Sequence, residues 1–325
     1  MSRPPRHPGL DPGPEPLVLV GPTASGKTAV GIELAIRLEG EIVSADARQI
    51  YRGMDIGTAK PTPDELAMAK HHLIDVADPD ESYSAGRWGR EAADIIGDIL
   101  ARGKRPIIVG GSGLYLDALF SGFSPVPEIP DRVRAELQEE AGRDLFGLYK
   151  RLLACDPEWA SKVNPNDRQR IVRGMEVFET SGERLSDLQQ RPREPAGPWK
   201  GNWFGLALDR SRLYTRIDKR VKWMVNAGLS REVRGLVRRG YDEDCYAMRS
   251  FGYREMIACL ADEIDIDEGI RLIQQGTRRY AKRQMTWFRS KEQITWVDVD
   301  TLGSPESMAE EIVRQLHPTA ASDSP

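Results

Sequence analysis

The sequence contains few cysteines and no long apolar run. Its three cysteines, Cys155, Cys245 and Cys259, form neither a CxxC pair nor a Cys/His arrangement with zinc-ligand spacing. This pattern is typical of free thiols in a reducing compartment. No stretch approaches the roughly 18 apolar residues of a membrane span, and the first sixteen residues lack the apolar run that a signal peptide needs. We therefore expect a soluble, cytoplasmic protein with no membrane partner.

The chain also lacks an excess of charge of either sign. It has 325 residues, of which 46 are Lys or Arg and 50 are Asp or Glu, so the formal net charge is −4. Global charge therefore gives no argument for a nucleic-acid partner, and any such argument must rest on local clusters. Hydrophobic residues make up 40% of the chain, which is enough for a buried core. The length favours about two domains.

Apolar runs alternate with amphipathic segments, a pattern that predicts a parallel sheet covered by helices on both faces. Strands are expected at residues 16–20, 41–46, 105–113, 201–209 and 294–300, and helices include residues 27–38 and 85–103. The fold class is therefore α/β, with a parallel sheet like that of P-loop NTPases.

The middle of the chain differs from this pattern. Residues 129–188 show only helical periodicity, and a polar, Pro-rich link follows at residues 189–200. We therefore predict an all-helical insertion at residues 126–198 between two parts of the core, residues 16–125 and 199–316. Residues 1–15 and 317–325 are expected to be disordered tails because they are short of apolar residues.

The segment "GPTASGKT", residues 21–28, matches G-x-x-x-x-G-K-[ST] in full and lies between a predicted strand and a predicted helix. Backbone N–H groups of such a loop bind phosphate oxygens, Lys27 adds a positive charge, and the Thr28 hydroxyl is placed to meet Mg²⁺. Nucleoside triphosphates are the usual ligands, which would make the protein ATP-binding. The best candidate for an ATPase magnesium strand, "PIIVGG", ends in glycine rather than Asp. A departing pyrophosphate is therefore the alternative ligand of the loop.

Asp46 ends the second predicted strand, at the sheet edge where ligands bind in open parallel sheets. A carboxylate there could accept a proton from a nucleophile or bind Mg²⁺ through water. The alternative is a helix N-cap, a position that Asp also favours.

Two segments concentrate basic residues. Residues 271–291 carry seven Lys or Arg and no acid, with Tyr280, Trp287 and Phe288 between them, and residues 210–240 carry ten basic and two acidic residues. Basic side chains neutralise backbone phosphates, and aromatic rings stack on unpaired bases. These segments therefore favour RNA binding, although a solvated helix with Trp287 and Phe288 in the core remains the alternative.

The chain resembles the tRNA dimethylallyltransferase family over residues 17–297. The resemblance rests on the joint order of several stretches, namely "GPTASGKT", "SADARQIYRGMDIGTAKP", "HHLIDVADPDESYSAGRW", "IIVGGSGLYLDAL", "NDRQRIVRGMEVF", "RSFGYRE" and "YAKRQMTWFR". It implies transfer of a dimethylallyl group from dimethylallyl pyrophosphate to N6 of the adenine 3′ to the anticodon, in tRNAs reading codons that begin with U. The target base would be flipped out of its stack.

The resemblance also implies roles for individual residues. Asp46 would act as the base, with Lys27 and Ser112 in the catalytic site, and Mg²⁺ at Thr28 would be the cofactor. The donor pyrophosphate would be bound by Gly21, Thr23, Ala24, Ser25, Gly26, Lys27 and Thr28. The anticodon stem-loop of tRNA would be contacted by Asp46, Ala47, Arg48, Gln49, Ser112, Arg134, Gln169, Arg173, Arg249, Gly252, Arg254, Lys282, Arg283 and Arg289. Ser112 departs from the Thr usual in the family; its hydroxyl is kept, but its rotamer is less restricted.

Three other functions stay open at this point. A P-loop kinase for a small molecule would use the same loop and Asp46 but leaves the basic aromatic segment unexplained. A nucleotide-gated RNA-binding protein would need no catalytic carboxylate. An enzyme that prenylates free adenine nucleotides would not depend on Lys282 and Arg283. We expect a monomer in each case.

Overall fold

A computed structural model describes residues 15–316 of the chain. The predicted tails lie outside these residues, except for Glu15. That residue is not detached, because its carboxylate accepts hydrogen bonds from the N–H groups of Lys200 and Gly201 at 3.0 and 2.9 Å. The described chain divides into two compact units, residues 15–120 with 197–316 and residues 121–196. The second unit begins five residues before the predicted start of the insertion, residue 126, and ends two residues before its predicted end, residue 198.

The first unit is an α/β core with alternating strands and helices. Its first part contains β1 (Leu17–Val20), α1 (Lys27–Arg37), β2 (Gly40–Ala45), α2 (Pro63–Met68), β3 (His71–His72), α3 (Ala85–Ala101), β4 (Arg105–Gly110) and α4 (Gly113–Phe120). Five helices, α5 (Asp131–Arg143), α6 (Leu145–Cys155), α7 (Pro157–Ser161), α8 (Arg168–Ser181) and α9 (Leu185–Gln190), follow in the second unit.

The core then resumes with its second part. This part contains β5 (Asn202–Ala207), α10 (Arg210–Ala227), α11 (Leu229–Arg238), a 3₁₀ turn (Ala247–Arg249), α12 (Tyr253–Leu260), α13 (Ile266–Arg289), β6 (Ile294–Asp298), α14 (Val299–Leu302) and α15 (Pro305–Leu316). All five strands predicted from the sequence are confirmed; four are shorter than predicted, and β2 begins and ends one residue earlier than predicted. The two-residue strand β3 was missed, because two residues are too few for a period of two to be visible.

The six strands form one sheet in the order β3-β2-β4-β1-β5-β6, and all neighbours are parallel. The strands β1, β2 and β4 are buried along most of their length, which explains their continuous apolar runs. The helices α1 and α15 pack with the sheet in one hydrophobic cluster that includes Leu19, Leu34, Ile107 and Ile312. The parallel arrangement brings the ends of β1, β2 and β4 to one edge, so the segments after them become neighbours.

The helical unit has its own apolar core, formed mainly by α5, α6 and α8 and including Leu148, Leu152, Ile171 and Met175. Asp156 is fully buried there and caps α7 through the N–H of Trp159 at 2.9 Å. It also accepts hydrogen bonds from the backbone N–H and hydroxyl of Ser186, which tie the start of α9 to this cap. Over residues 15–316, no helix combines the length and apolar composition needed to cross a bilayer.

Candidate functional site

The loop after β1 has the geometry of an anion-binding turn. Gly26 has a left-handed backbone with φ of 99°, a conformation that glycine adopts without strain, and α1 starts directly after it. No side chain caps this helix end. The first N–H groups of α1, including those of Lys27 and Thr28, therefore lack an intrahelical acceptor and carry the positive end of the helix dipole.

Lys27 lies in this loop with its ammonium group buried, and it donates a hydrogen bond to the Pro22 carbonyl at 2.7 Å. Burial lowers the pKa of Lys27 to about 8; the nearby Asp46 carboxylate raises it, and the Arg220 guanidinium lowers it further. Two of the three ammonium protons remain available for a ligand. A pyrophosphate in the loop would stabilise the charged form of this lysine.

Asp46 follows β2 and lies within electrostatic reach of Lys27, as predicted from the strand-end rule. Its Oδ1 accepts hydrogen bonds from the N–H groups of Arg48 at 2.9 Å and Gln49 at 3.4 Å. The helix N-cap alternative is wrong, because no helix begins between Asp46 and α2; the carboxylate instead closes a turn of its own backbone. Among residues 15–316, no protein group donates to Oδ2, so this oxygen can accept a proton from a ligand.

Ser112 joins the ends of β2 and β4. Its hydroxyl accepts a hydrogen bond from the Ala47 N–H at 2.9 Å, and its own N–H donates to the Ala45 carbonyl at 3.1 Å. These bonds fix the turn that carries Asp46 against the glycine-rich turn after β4. Ser112 is buried, and its hydrogen bonds within the protein hold these two turns in place.

Two further charged or polar side chains line the site. Arg220 was not singled out by the sequence analysis, and Tyr280 was named there only as an aromatic residue of the basic segment. Arg220, on α10, donates a hydrogen bond to the Thr23 hydroxyl at 3.4 Å, and burial lowers its pKa although Asp46 and Glu65 raise it. Tyr280, on α13, has a pKa raised to about 12, first by burial and then by the charge of Asp46. Arg220 belongs to the basic segment at residues 210–240, but Thr23, the residue that it contacts, lies 197 positions away in the chain. No local sequence pattern could therefore predict this contact.

Lys27, Thr28, Asp46, Arg220 and Tyr280 line one cavity of about 800 Å³, whereas Ser112 is not among its lining residues. Thr28, Lys27, Asp46 and Arg220 contribute to its polar lining, together with Arg48, Gln49, Tyr280 and Arg283. Apolar side chains of α10 and α13, including Ile217, Val221 and Ile273, line it as well. The cavity can therefore accommodate a ligand with an anionic group and an apolar group together.

One wall of the cavity is held by a carboxylate that the sequence analysis missed. Glu232, on α11, accepts hydrogen bonds from three successive N–H groups, those of Asp55, Ile56 and Gly57, at 3.0, 2.7 and 3.1 Å. The hydroxyl of the fully buried Tyr253 donates to the same carboxylate at 2.6 Å. Residues 57–62, which line the cavity, are thereby fixed to α11 and α12.

The basic segment at residues 271–291 forms the C-terminal part of α13 and the turn after it. Arg278 and Lys291 are paired with Asp218 and Asp117 at 2.6 and 2.7 Å, and Phe288 is fully buried, so these three side chains serve the structure. Arg271 is likewise paired with Glu268 at 2.6 Å. Within the described chain, no carboxylate lies within ion-pair distance of the remaining four, Arg279, Lys282, Arg283 and Arg289.

An open groove runs along the exposed face of α13. It is lined by Arg279, Lys282, Arg283, Thr286, Trp287 and Ser290. Trp287 packs against Gly113, where a Cβ atom would lie 2.5 Å from the indole ring. The face therefore combines unpaired cations with one half-buried aromatic ring.

Of the other predicted contact residues, Arg249 and Gly252 also line the cavity, and the rest do not. Arg249, Gly252 and Arg254 lie between α11 and α12 or at the start of α12; Arg249 donates to the Glu243 carbonyl at 2.9 Å, and Arg254 pairs with Glu255 at 2.7 Å. Arg134, Gln169 and Arg173 belong to the helical unit. There Glu176 pairs with Arg134 and Arg173 at 3.5 and 3.3 Å, and Gln169 is exposed.

Known proteins match the chain over most of its length. The IPP transferase family model matches residues 49–291, and an isopentenyl transferase model matches residues 15–79. The tRNA dimethylallyltransferase 1 of Syntrophotalea carbinolica is 48% identical over 291 residues, which cover 89% of this chain and 92% of that protein.

Two solved structures are similar as well. The tRNA isopentenylpyrophosphate transferase of Staphylococcus epidermidis superposes with a TM-score of 0.67 at 36% identity, covering 94% of this chain and all of that one. A eukaryotic dimethylallyltransferase acting on tRNA gives a TM-score of 0.76 at 26% identity, covering 95% and 80% of the two chains. The chain therefore belongs to the IPP transferase family.

Proposed function

We propose that the protein transfers a dimethylallyl group from dimethylallyl pyrophosphate to N6 of the adenine 3′ to the anticodon, in tRNAs reading codons that begin with U. The observation that carries the proposal is that the anion-binding loop, Asp46 and Arg283 of the basic face all border one cavity. A donor and an RNA base can meet there. The relatives named above act on tRNA, which also supports it. A kinase would not need the unpaired cations of α13.

The donor binds through its pyrophosphate. The free N–H groups at the start of α1 and the ammonium group of Lys27 bind phosphate oxygens, with Arg220 beside Thr23 as a second cation. As the bond between C1 of the allylic group and the bridging oxygen breaks, negative charge develops on that oxygen. These same groups are already oriented towards it, so they stabilise the transition state without reorganisation.

The acceptor nitrogen supplies the electron pair. N6 of adenine forms the new bond to C1, pyrophosphate leaves with the electrons of the broken bond, and N6 loses one proton. Asp46 takes that proton through Oδ2, while its Oδ1 is held by the N–H groups of Arg48 and Gln49. The donor must bind with C1 towards Asp46. This orientation is possible because Lys27, which binds the pyrophosphate, lies close to Asp46.

Mg²⁺ fits this site as an ion bound by both the protein and the donor pyrophosphate. Within residues 15–316 there is no group of three or more His, Cys, Asp or Glu side chains that could form a metal site alone. The cavity offers the Thr28 hydroxyl as a protein ligand, which suits an ion bound mainly by phosphate oxygens and water. When bound, Mg²⁺ would neutralise part of the charge on the departing pyrophosphate.

The tRNA would lie along the groove of α13 defined above, with the target base turned into the cavity. The contacts proposed for Arg134, Gln169, Arg173, Arg249, Gly252, Arg254 and Arg289 stay predictions. The monomeric state and the cytoplasmic location stay predictions as well.

The test is prenylation of synthetic anticodon stem-loops. Purified protein, Mg²⁺ and dimethylallyl pyrophosphate are incubated with stem-loops that carry adenine or guanine at the target position, and mass spectrometry follows the added five-carbon unit. Addition to the adenine stem-loop alone is expected. Asp46→Asn should lower the single-turnover rate roughly 10²-fold or more, as for a lost general base, with stem-loop affinity nearly unchanged. ATP hydrolysis without prenyl transfer, or equal transfer to free AMP, would contradict the proposal.

A further inference from the structure

Glu232, on α11, holds a part of the cavity wall that apolar packing fixes only weakly. This part is segment 55–60, whose apolar side chains, those of Ile56 and Ala59, are only half-buried. The Glu232 carboxylate accepts hydrogen bonds from all three N–H groups of residues 55–57. Successive N–H groups that converge in this way form an anion-binding turn. The negative charge of Glu232 therefore determines where the segment lies.

The backbone of segment 55–60 is strained and is held by contacts with α11 and α12. Ala59 has a left-handed backbone with φ of 49°, a conformation that persists in a non-glycine residue only where surrounding contacts impose it. Gly57 lies against the ring of Tyr253, the first residue of α12, and a Cβ atom at position 57 would lie 2.5 Å from that ring. The Tyr253 hydroxyl donates to Glu232 at 2.6 Å. One carboxylate and one aromatic ring thus hold the segment together.

The other side of the segment is joined to the turn that carries Asp46. The side-chain nitrogen of Gln49 donates to the Ala59 carbonyl at 3.1 Å, and the backbone N–H of Gln49 donates to Asp46 Oδ1 at 3.4 Å. Lys60 makes a second link, because its ammonium group donates to the Tyr51 carbonyl at 2.6 Å. A displacement of the segment would therefore also displace the residues that hold the Asp46 carboxylate.

We propose that Glu232 is a positioning residue for the transfer: by anchoring segment 55–60 to α11, it fixes the direction in which Asp46 presents Oδ2 to the acceptor. The inference rests on the proposed function, in which Asp46 takes the proton of N6. Glu232 does not line the cavity, so it acts through the segment and touches neither substrate. A general base works only within hydrogen-bond reach of its proton, so a small displacement of Asp46 lowers the rate more than it lowers binding.

The first experiment separates the transfer rate from binding. Glu232→Gln keeps the size of the side chain and removes its charge, whereas Gly57→Ala forces a methyl group against the Tyr253 ring and leaves Glu232 intact. Single-turnover transfer to an anticodon stem-loop should fall roughly tenfold or more in both variants, as for a misplaced catalytic group. The affinities for inorganic pyrophosphate and for the stem-loop should be nearly unchanged, because segment 55–60 belongs neither to the loop after β1 nor to the groove of α13.

Each variant has a matched control. Gly97→Ala, on α3, adds a methyl group where a Cβ atom would meet no neighbour within 4 Å. Glu310→Gln, on α15, removes an exposed carboxylate that lies 3.6 Å from Arg37 on the surface. Both controls should transfer the prenyl group at the wild-type rate.

Glu232→Ala tests whether the charge itself positions the segment. The substitution removes a group of the size of acetate next to the N–H groups of residues 55–57, and the site can be reached from solvent because Glu232 is only half-buried. Added acetate should bind these N–H groups and restore part of the transfer rate, whereas acetamide, which has the same shape and no charge, should not. Gly57→Ala should not respond to acetate, because its Glu232 carboxylate is still present.

Hydrogen exchange measures the same coupling without any reaction. The N–H groups of Arg48 and Gln49 donate to Asp46, so their exchange reports how firmly that turn is held. Exchange should be faster in Glu232→Gln and Gly57→Ala than in wild type and in the two controls. Faster exchange in these variants of a protein that transfers no prenyl group would contradict the proposed function and leave the link from Glu232 to the Asp46 turn intact.

Three results would overturn the inference and leave the proposed function standing. The first is a wild-type transfer rate in Glu232→Gln or Gly57→Ala. The second is a parallel loss of transfer, pyrophosphate affinity and stem-loop affinity, which would indicate a general loss of folding instead of a displaced Asp46. The third is equal recovery of Glu232→Ala with acetate and acetamide, which would attribute its defect to lost packing rather than to lost charge.

Discussion

Gln284 on α13 connects the basic helix to the loop that follows β1. Its side-chain oxygen accepts a hydrogen bond from the Thr23 N–H, and its side-chain nitrogen donates to the Gly111 carbonyl, both at 2.9 Å. Glycine is required at position 111, because a Cβ atom would lie 2.2 Å from this nitrogen. One buried amide thus fixes two turns at the sheet edge against α13.

Replacing Gln284 by Met should weaken binding of the donor. Methionine has a similar length but cannot bridge Thr23 and Gly111, so the loop would lose one of the bonds that hold its shape. We expect the affinity for inorganic pyrophosphate, measured by calorimetry, to fall roughly tenfold, the effect of one or two lost hydrogen bonds. Gln315→Met, an exposed change on α15, is the control. Unchanged affinity in Gln284→Met would show that the loop keeps its shape without the bridge.

The contrast between these contacts explains what the sequence could and could not predict. The turn at Gly26, Lys27 and Thr28 was predictable, because the loop, strand and helix that make it are adjacent in the chain. Asp46 was placed by the rule for strand ends. Gln284 and Glu232 act on segments 261 and at least 175 residues away, and no local pattern records such a pairing.

The basic segment shows the same limit. Its charge pattern predicted one RNA-binding face, and the structure has a face with unpaired cations on α13, but Arg278 and Lys291 are ion-paired and Phe288 is buried. The sequence could not separate these residues from Lys282 and Arg283, because their partners lie on other elements. The function could be inferred from the sequence without these details, because the ordered motifs identify the family.

Donor binding should weaken above about pH 8. The pKa of Lys27 in the free protein is about 8, so its ammonium group is charged below this pH and loses its proton as the pH rises through it. Pyrophosphate stabilises the charged form, and its binding should therefore take up a proton between about pH 8 and 10. Calorimetry at pH 8.5 in two buffers with different ionisation enthalpies measures this uptake.

Lys27→Met serves as the control for the pH experiment. It should bind pyrophosphate weakly, with no proton uptake in this range. The variant should also be more stable than wild type at pH 7, since the folded pKa of about 8 lies below the unfolded value of 10.5 and burial of the charge opposes folding. That advantage should shrink as the pH rises from 8 to 10.5. Proton uptake by the variant would assign the titration to another group.

Glu41 should contribute to stability rather than to activity. It lies near the amino end of β2, at the opposite end of that strand from Asp46, and it is 1% exposed. Arg102, His72 and Lys104 surround it, and the hydrogen bonds from Arg102 foremost hold the pKa of Glu41 well below its usual range. A depressed pKa stabilises the folded state above the unfolded value of 4.5, and this contribution is lost as the pH falls through the folded value.

Glu41→Gln should therefore lower the free energy of unfolding by about 2 kcal/mol at pH 7, the scale of charged hydrogen bonds at a buried site. The difference from wild type, measured by urea unfolding, should narrow at pH 3.5. Glu311→Gln, a change in a surface ion pair with Arg314, is the control and should have little effect. A pH-independent difference would attribute the loss to packing instead of charge.

Lys282 and Arg283 should determine how strongly RNA binding depends on salt. Both side chains are exposed on the groove of α13 and lack a carboxylate partner among residues 15–316. Each cation that neutralises a phosphate releases counterions, so the double change to Gln should weaken stem-loop binding and reduce the slope of log affinity against log salt by about 1 to 2. Arg314→Gln, on α15, removes one charge and should leave the slope unchanged. Weaker binding with an unaltered slope would mean that these residues contact bases or ribose rather than phosphates.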